Sequence, residues 1–432
     1  MQDMKSRDLK NLPFMVYADD RGRIFDHPYF RMGGMWGEHL VLPAQEDLIP
    51  LSEFSRLFYF PDCPPVGMDP ETGEWQTVYE IEIDGVITRC HAVAAFLEPG
   101  IVRTHLPAVD YRPKTYTLPM WAYTAVGFLD ERFYAAGFRI EVNPRWDPSN
   151  YDDRELLPAI DRYRKEHPGG PLVEHLIQCA VQNHCFAAKN LFLRRWEAPL
   201  PVSRKCNAVC LGCLSLQPDQ SCEASHQRIT FIPSKEEIVA LAVEHLDQSP
   251  GAIISFGQGC EGEPITEYRL IAESIQEIRR RTDRGTINLN TNGSIPERIR
   301  LIVESGLDSI RISLNSARPD YYTAYYRPID YTFRDVVESI ALSREMGVYT
   351  MVNYLVFPGV TDQNEEIRAL MELIEHTGIQ FLHLKNLCID PCVYLENLPD
   401  SSPEGIGLKR MNAILTEAFP NLALGYFNQP VR

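Results

Sequence analysis

What this 432-residue sequence lacks excludes several classes of protein. No run of about 18 apolar residues occurs, so no helix is expected to cross a membrane. Residues 1–10 are polar and charged, which does not fit a secretory signal. Basic residues are fewer than acidic ones, and the net charge is −17, whereas a sequence-independent grip on nucleic-acid phosphates needs clustered Lys and Arg. These absences predict a cytoplasmic protein with no membrane partner, and they argue against nucleic acid as a partner.

Cysteine, by contrast, is abundant, with eleven residues in the chain. A small secreted domain would use so many for disulfides, but a long chain without a secretory signal more often uses them in metal or redox chemistry. Hydrophobic residues make up 44% and charged residues 23%, which is typical of a folded globular protein. The length suits two domains, or one large α/β domain with an appended one.

The first predicted domain covers residues 1–195 and is rich in short β-strands. Strand-like pieces alternate with Pro, Gly and Asp, as in a small antiparallel unit. They lie at residues 14–17, 56–60, 77–83, 91–97 and 122–128. Two helical stretches follow, from about residue 153 to 165 and from about 172 to 190. Apart from two cysteines, no catalytic motif is recognised in this domain.

The second predicted domain, residues 196–395, alternates strands with amphipathic helices. The predicted strands are residues 198–203, 252–256, 286–290, 309–314, 348–356 and 380–384. Six parallel strands with helices between them form either a doubly wound sheet or an incomplete β/α barrel. In both architectures the functional loops leave the carboxyl ends of the strands. Residues 396–432 are predicted to form a helix and a tail.

A cysteine motif follows the first strand of this second domain. Cys206, Cys210 and Cys213 are spaced by four and three residues, so their thiolates can wrap one face of an iron–sulfur cube and leave one iron open. An open metal position is what catalysis requires. The alternative is a zinc knuckle that Cys222 or His226 would close.

With this Cys-x3-Cys-x2-Cys motif, residues 199–387 resemble the radical S-adenosylmethionine (radical SAM) superfamily. The resemblance implies a partial (β/α)6 TIM-like barrel and a [4Fe-4S] cluster whose unique iron binds the amino and carboxylate groups of S-adenosyl-L-methionine. It further implies reductive cleavage of that molecule to a 5′-deoxyadenosyl radical, which abstracts a substrate hydrogen. Members usually carry an aromatic residue before the third cysteine. This chain has Gly212 there, which puts the packing of the adenine in doubt.

Further cofactor-binding residues follow from the resemblance, strand by strand. The family's Gly-Gly-Glu-Pro element is matched best by Gly262, Glu263 and Pro264, with Glu261 as a competitor, and its carboxylate receives the ammonium group of the cofactor. The alternative is a glycine-rich turn with a solvated Glu. Polar residues at the next strand ends are candidates for the ribose and the methionine carboxylate, namely Asn290, Asn292, Ser313 and Asn315. The fifth strand contributes Asn353 as a further cofactor-binding candidate, ahead of a turn at Pro358 and Gly359 that is similar to the family's turn near adenine. Asn in a turn is otherwise most often there for local hydrogen bonds.

The remaining cysteines allow a second cluster. Cys179, Cys185, Cys222 and Cys260 flank the predicted barrel mouth and could share one, and Cys260 could instead be a catalytic thiol. Burial as small apolar side chains is the alternative for all four. Cys388 and Cys392, after the sixth strand, are a rival pair with nothing nearby to complete a site.

The sequence therefore predicts an oxygen-sensitive radical SAM enzyme that acts on a small molecule or a peptide. Its electron donor would be a protein such as flavodoxin or ferredoxin. Within the enzyme class, the alternatives are a glycyl-radical activase and an RNA-modifying enzyme. A different alternative is a zinc- or cluster-stabilised binding protein without catalysis. The cofactor carries the difficult chemistry, so the sequence indicates the cofactor more readily than the substrate.

Overall fold

The computed structural model describes residues 9–83, 85–167, 169–217, 222–400 and 405–432. Its internal contacts divide the chain into two compact units. The first consists of Met1–Val142, Val356–Arg368 and Lys385–Ala418, and the second of Asn143–Leu355, Ala369–Leu384 and Phe419–Arg432. No described helix is long and apolar enough to span a membrane.

The first unit is built on antiparallel strands, which confirms the β-rich N-terminal region. The strands are β1 (Phe14–Ala18), β2 (Ile24–Met32), β3 (Gly34–Trp36), β4 (His39–Val41), β5 (Leu48–Pro50), β6 (Arg56–Phe60), β7 (Val66–Met68), β8 (Trp75–Thr77), β9 (Glu80–Ile83), β10 (Val86–Arg89), β11 (His91–Phe96), β12 (Ile101–Arg103), β13 (Leu106–Pro107), β14 (Val126–Leu129) and β15 (Arg132–Arg139). The main sheet runs β12-β15-β14-β1-β2-β7-β8, with β11 joining β1 to β6 and β5 pairing with β15. Its apolar core includes Val16, Val93 and Val126.

Three helices open the second unit: α1 (Leu156–Glu166), α2 (Pro171–Val181) and α3 (Phe186–Phe192). The sequence predicted one continuous helix over residues 172–190, and this prediction was wrong. His184 adopts a left-handed backbone with φ of 50°, so the helix cannot continue through it, and Cys185 becomes the extended N-cap of α3.

The second unit contains a sheet of parallel strand pairs, in the order β16 (Glu197–Pro199), β17 (Ile253–Phe256), β18 (Thr286–Thr291), β19 (Ser309–Leu314), β20 (Tyr349–Val356), β21 (Phe381–Asn386) and β22 (Ala423–Gly425). Every residue of β17 and β18 is buried, as expected for strands covered on both faces. The α/β partial barrel is therefore confirmed. The sequence missed β22, which pairs with β21, because its three residues are too few to show a periodic pattern.

Helices of the predicted type connect these strands: α4 (Lys235–Gln248), α5 (Tyr268–Arg281), α6 (Pro296–Glu304), α7 (Pro319–Tyr326), α8 (Phe333–Glu345) and α9 (Asn364–Thr377). Ser234 and Glu237 form the capping box that begins α4. Gly347 and Gly378 follow α8 and α9 with φ of 81° and 62°, which ends both helices. Two further helices, α10 (Pro391–Glu396) and α11 (Leu408–Ala418), come after the sixth strand. The predicted domain limits at residues 195 and 395 stay predictions.

Candidate cofactor site

Backbone hydrogen bonds fix the cysteine loop after β16 against the end of helix α7. The N–H of Leu211 donates to the carbonyl oxygen of Tyr325 at 2.9 Å, and that of Val209 donates to Tyr326 at 3.2 Å. The last carbonyls of a helix have no partner within it, so the loop satisfies groups that α7 leaves open. The path of the loop therefore depends on the helix that follows the fourth strand.

The loop brings the three predicted cluster cysteines into electrostatic contact. All three are half-buried and free. Burial raises the pKa of Cys206 to about 11 and that of Cys210 well above its ordinary value, and the neighbouring thiols raise both further. Both pKa shifts favour the protonated thiols, so a metal that binds there would displace protons.

Arg228 sits beside this loop and was not predicted. Its Nη2 donates to Sγ of Cys213 at 3.4 Å, and its Nε donates to Oγ of Ser215 at 3.0 Å. Arg228 thus places hydrogen-bond donors on the third cysteine and on a serine two residues later. No spacing rule links Arg228 to the cysteine motif, and only the folded chain reveals the contact.

Glu261 is a carboxylate enclosed by backbone. Its Oε2 accepts from the N–H groups of Val202 at 2.8 Å and Ser203 at 2.9 Å, and its Oε1 accepts from those of Gly257 at 2.7 Å and Gln258 at 3.0 Å. Burial raises its pKa to about 7, while the four donors act in the opposite direction. With two donors on each oxygen, Glu261 joins the chain after β16 to the chain after β17 and has little capacity left for a ligand.

Glu263 is also buried, but its carboxylate is less completely bonded. Its Oε1 accepts from the hydroxyl of Thr291 and from the N–H of Ile265 at 3.1 Å, whereas its Oε2 accepts only from the N–H of Asn292 at 2.8 Å. Burial raises its pKa to about 7. A carboxylate oxygen can accept two hydrogen bonds, so Oε2 keeps room for one more donor. Oε2 of Glu263 therefore has more unused hydrogen-bonding capacity than either oxygen of Glu261.

Two glycines in the turn allow backbone segments to approach closely. A β-carbon on Gly257, whose φ is 78°, would lie 1.8 Å from the carbonyl oxygen of Asn290, and one on Gly262 would lie 2.0 Å from that of Lys205. Neither distance permits any side chain. The glycines of the motif therefore position both carboxylates by close backbone packing.

The predicted asparagines at the strand ends have different surroundings. Asn292 donates to Oδ1 of Asn207 at 2.8 Å and accepts from the N–H of Ser294, so it braces the cysteine loop. Asn290 accepts from Asn288 at 2.9 Å, but its buried Nδ2 has no hydrogen-bond partner.

The next two strands carry the other candidates. Ser313 and Asn353 are paired neighbours on β19 and β20, and both are half-buried. Oδ1 of Asn353 is buried without a partner. Asn315 is buried and donates to the carbonyl oxygen of Tyr321 at 3.2 Å. A buried polar atom without a partner is costly, so Asn290 and Asn353 carry groups that a bound polar ligand could satisfy.

Tyr325 explains why residue 212 is glycine. A β-carbon at Gly212 would lie 2.5 Å from Oη of Tyr325 and 3.2 Å from two of its ring carbons. The aromatic ring from α7 thus fills the space beside the third cysteine, where the resemblance led us to expect an aromatic side chain from the loop itself.

Gly212→Ala is expected to destabilise the loop, by about 1–3 kcal/mol, because the new methyl group overpacks against Tyr325. Thermal unfolding of the apo protein measures the loss. The double variant Gly212→Ala/Tyr325→Phe lacks the clashing hydroxyl, and we expect it to regain part of the lost stability. Tyr325→Phe alone is the control. If Gly212→Ala lowers the stability of the wild type and of Tyr325→Phe by the same amount, the clash with the hydroxyl is not the cause.

Cys260 lies in the glycine-rich turn and meets Cys179 and His175 of helix α2. Sγ of Cys179, Sγ of Cys260 and a ring nitrogen of His175 all lie within 4.8 Å of one another. A hydrogen bond from Cys260 lowers the pKa of Cys179, and His175 and His226 lower it further. The same bond, together with burial, raises the pKa of Cys260. The sequence had grouped the two cysteines but not His175, although His175 and Cys179 have the i, i+4 spacing of one helix face.

The other predicted cysteines stand apart from this trio. Cys185 donates its backbone N–H to the carbonyl oxygen of Cys179 at 3.0 Å, and its thiol interacts electrostatically with Cys179. Cys222 is half-buried. Within the described ranges, the donor group that includes Cys179 contains neither of them. The shared four-cysteine cluster and the catalytic role of Cys260 stay predictions.

Comparison with known proteins identifies the family of this region. The sequence model described as the Radical SAM superfamily matches residues 200–374. The chain is similar to a GTP 3′,8-cyclase of Petrotoga mobilis, at 25% identity over 42% of this chain and 53% of that protein. It is also similar to the FeMo cofactor biosynthesis protein NifB of Rhizobium meliloti, at 25% identity over 43% of this chain and 40% of that protein. The chain thus spans about half or less of the length of these two curated relatives.

Among solved structures, the chain is similar to the FeFe-hydrogenase maturase HydG from Carboxydothermus hydrogenoformans, with 16% identity, 64% of this chain and 66% of that chain covered, and a TM-score of 0.37. The matched region, residues 200–374, contains the cysteine loop, the glycine-rich turn and the strand ends described above. Residues 200–374 of this chain match the radical SAM superfamily model.

Proposed function

We propose that this chain is an iron–sulfur enzyme that cleaves S-adenosyl-L-methionine reductively and uses the product to modify a small molecule. Cys206, Cys210 and Cys213 would hold a [4Fe-4S] cluster. When bound, the cluster and S-adenosyl-L-methionine supply a 5′-deoxyadenosyl radical that removes a hydrogen atom from the substrate.

One observation carries this proposal. Three half-buried thiols lie on a loop at the carboxyl end of the first parallel strand, and the next strand leads to the incompletely bonded Glu263. The donor set fits the cofactor pair, because soft thiolates suit an iron–sulfur cluster and a buried carboxylate suits an ammonium group.

The chain's own residues would bind and orient the cofactor. Glu263 would receive the ammonium group at Oε2, since Oε1 already accepts from Thr291 and Ile265. Asn290 and Asn353 offer a donor and an acceptor that lack partners in the protein. Ser313, beside Asn353, would add a hydroxyl from the neighbouring strand. Asn292 would act indirectly, by holding Asn207 and hence the loop.

The net charge and the relatives support a small-molecule substrate. The net charge of −17 disfavours RNA. GTP 3′,8-cyclase, one of the similar proteins, is named for an action on a nucleotide, which supports a small molecule over a peptide. A reductant protein such as flavodoxin or ferredoxin would deliver the electron. The alternative from another class is a metal-stabilised binding protein, which would not form 5′-deoxyadenosine. An anaerobic assay with dithionite therefore tests the proposal, because only the proposed enzyme would release 5′-deoxyadenosine.

Glu263→Gln is expected to weaken the binding of S-adenosyl-L-methionine about 10- to 100-fold, because a hydrogen bond to a charged group is worth about 1.5–3 kcal/mol. Equilibrium binding to anaerobically reconstituted protein measures the loss. Glu267→Gln, in the same short helical turn, is the matched control, since it removes a half-buried carboxylate of equal charge.

Glu261→Gln supplies the opposite comparison. Its folded fraction is expected to bind the cofactor more tightly than Glu263→Gln does, because backbone groups already occupy the Glu261 carboxylate. If Glu261→Gln loses more affinity per folded molecule, the assignment of the ammonium-binding carboxylate is off by two residues.

A further inference from the structure

We propose that His175, Cys179 and Cys260 form a second metal site, separate from the cluster loop, which binds a single zinc ion. The inference concerns a structural ion and is independent of the proposed radical chemistry.

The geometry of the trio fits one ion. Nε2 of His175 lies 3.7 Å from Sγ of Cys179, and the three donor atoms lie within 4.8 Å of one another. Zinc binds sulfur at about 2.3 Å and nitrogen at about 2.0–2.1 Å in a tetrahedron, so two of its ligands stand about 3.5–3.8 Å apart. Small side-chain shifts therefore bring all three donors to bonding distance.

A chance meeting of buried cysteines does not account for this arrangement. His175 and Cys179 share one face of α2 at the i, i+4 spacing that metal-binding helices use. Cys260 comes from a distant segment, the glycine-rich turn after β17. Cys179 is 1% and Cys260 2% exposed, while His175 is half-buried, so the two sulfurs are shielded and the imidazole stays open to an entering ion.

His226 is our candidate for the fourth ligand, although its ring nitrogens are not among the donor atoms that lie within 4.8 Å of one another, so the ring would have to shift toward the trio. A β-carbon on Gly259, next to Cys260, would lie 3.7 Å from Nδ1 and Cε1 of the His226 ring. Nδ1 is 3.1 Å from Oγ of Ser225, a contact that orients the ring and leaves Nε2 for a metal. The complete set would be two thiolates and two imidazoles, the composition of a closed structural zinc site.

A single ion fits these donors better than a second iron–sulfur cluster. In a cluster each cysteine binds a different iron, so the sulfurs spread around a cube and need not converge. Here the nitrogen and both sulfurs lie within 4.8 Å of one another, and Cys185 and Cys222 are not part of that donor group. The ion would tie α2 to the turn that carries Glu261 and Glu263, and would thereby steady the cofactor carboxylate.

The test counts metals in the full chain. Anaerobically reconstituted wild-type protein, dialysed against metal-free buffer, is expected to retain about one zinc per chain in addition to the iron of the cluster loop. The variant Cys206/Cys210/Cys213→Ala lacks the three thiols of that loop, and we expect it to lose the iron but to retain the zinc. His175→Ala and Cys179/Cys260→Ser are expected to lose it, whereas Cys185→Ser, the matched neighbour, retains it. With Co²⁺ in place of Zn²⁺, thiolate-to-cobalt charge-transfer bands should appear and should vanish in the same variants.

Other outcomes overturn the proposal. Iron and sulfide retained by Cys206/Cys210/Cys213→Ala, and lost when Cys185 or Cys222 is replaced, would mean a second cluster. If the wild type contains no zinc, and the thiols of Cys179 and Cys260 are free or joined in a disulfide, the two cysteines are a thiol pair that binds no metal. If Cys206/Cys210/Cys213→Ala does not fold, the difference in zinc between wild type and His175→Ala decides the question alone.

Discussion

Replacing Cys206, Cys210 and Cys213 together by Ala is expected to abolish both iron binding at the loop and the formation of 5′-deoxyadenosine. A cluster depends on its thiolate ligands, so their removal leaves no site for about four irons and no route for the electron. Iron and sulfide analysis, the visible absorption spectrum and product detection with dithionite under anaerobic conditions measure the two losses.

The control for this experiment is Cys63/Cys90→Ala. Both residues are buried in apolar clusters of the first unit, so their loss tests the general effect of removing cysteines. Iron content and cleavage are expected to stay near wild type in this double variant. Normal cleavage by Cys206/Cys210/Cys213→Ala would remove the basis of the proposed function.

Glu261→Gln is expected to destabilise the second unit by about 2–6 kcal/mol. The amide keeps one oxygen, and its NH2 group must face two of the four backbone donors that now bond to the carboxylate. A buried donor without an acceptor costs about 1–3 kcal/mol, and two are created. Because proteins are stable by only about 5–15 kcal/mol, the effect would be large.

Amide hydrogen exchange localises this loss more sharply than a melting curve. The N–H groups of Val202, Ser203, Gly257 and Gln258 should exchange faster in Glu261→Gln, because these are the bonds that the carboxylate makes. Glu267→Gln should leave them unchanged. Unaltered protection of all four groups in Glu261→Gln would contradict a structural role for this carboxylate.

The sequence predicted the parallel sheet well because most of its strands are largely buried apolar segments next to helices with clear ends. The fourth strand matches its prediction at both ends, and the capping box at Ser234 starts α4 as expected. The sequence did not predict strand β22, because its three residues are too few to show a pattern. It also did not predict the helix break at His184, because that break depends on a single residue with a left-handed backbone.

The site was predictable in its residue types but not in its roles. The sequence favoured Glu263 over Glu261 only through the family resemblance, and the backbone groups that fold around each carboxylate give the physical difference between them. Likewise, Cys260 reaches His175 through long-range packing that no spacing rule encodes. The contacts of Tyr325 and Arg228 with the cysteine loop were unpredictable for the same reason, because both residues lie outside the motif in the sequence.

The composition of the first unit bears on how the chain is made in the cell. Arg103, which is fully buried, donates to the carbonyl oxygen of Leu387, 284 residues later in the chain. At about 5–20 residues per second, a ribosome needs about 15–60 s to synthesise that interval. During this time the emerged N-terminal strands lack Val356–Arg368 and Lys385–Ala418, which belong to the same unit. The first unit can therefore reach its complete fold only after Lys385–Ala418 has been synthesised, so Arg103 gains this partner long after its own strand has emerged.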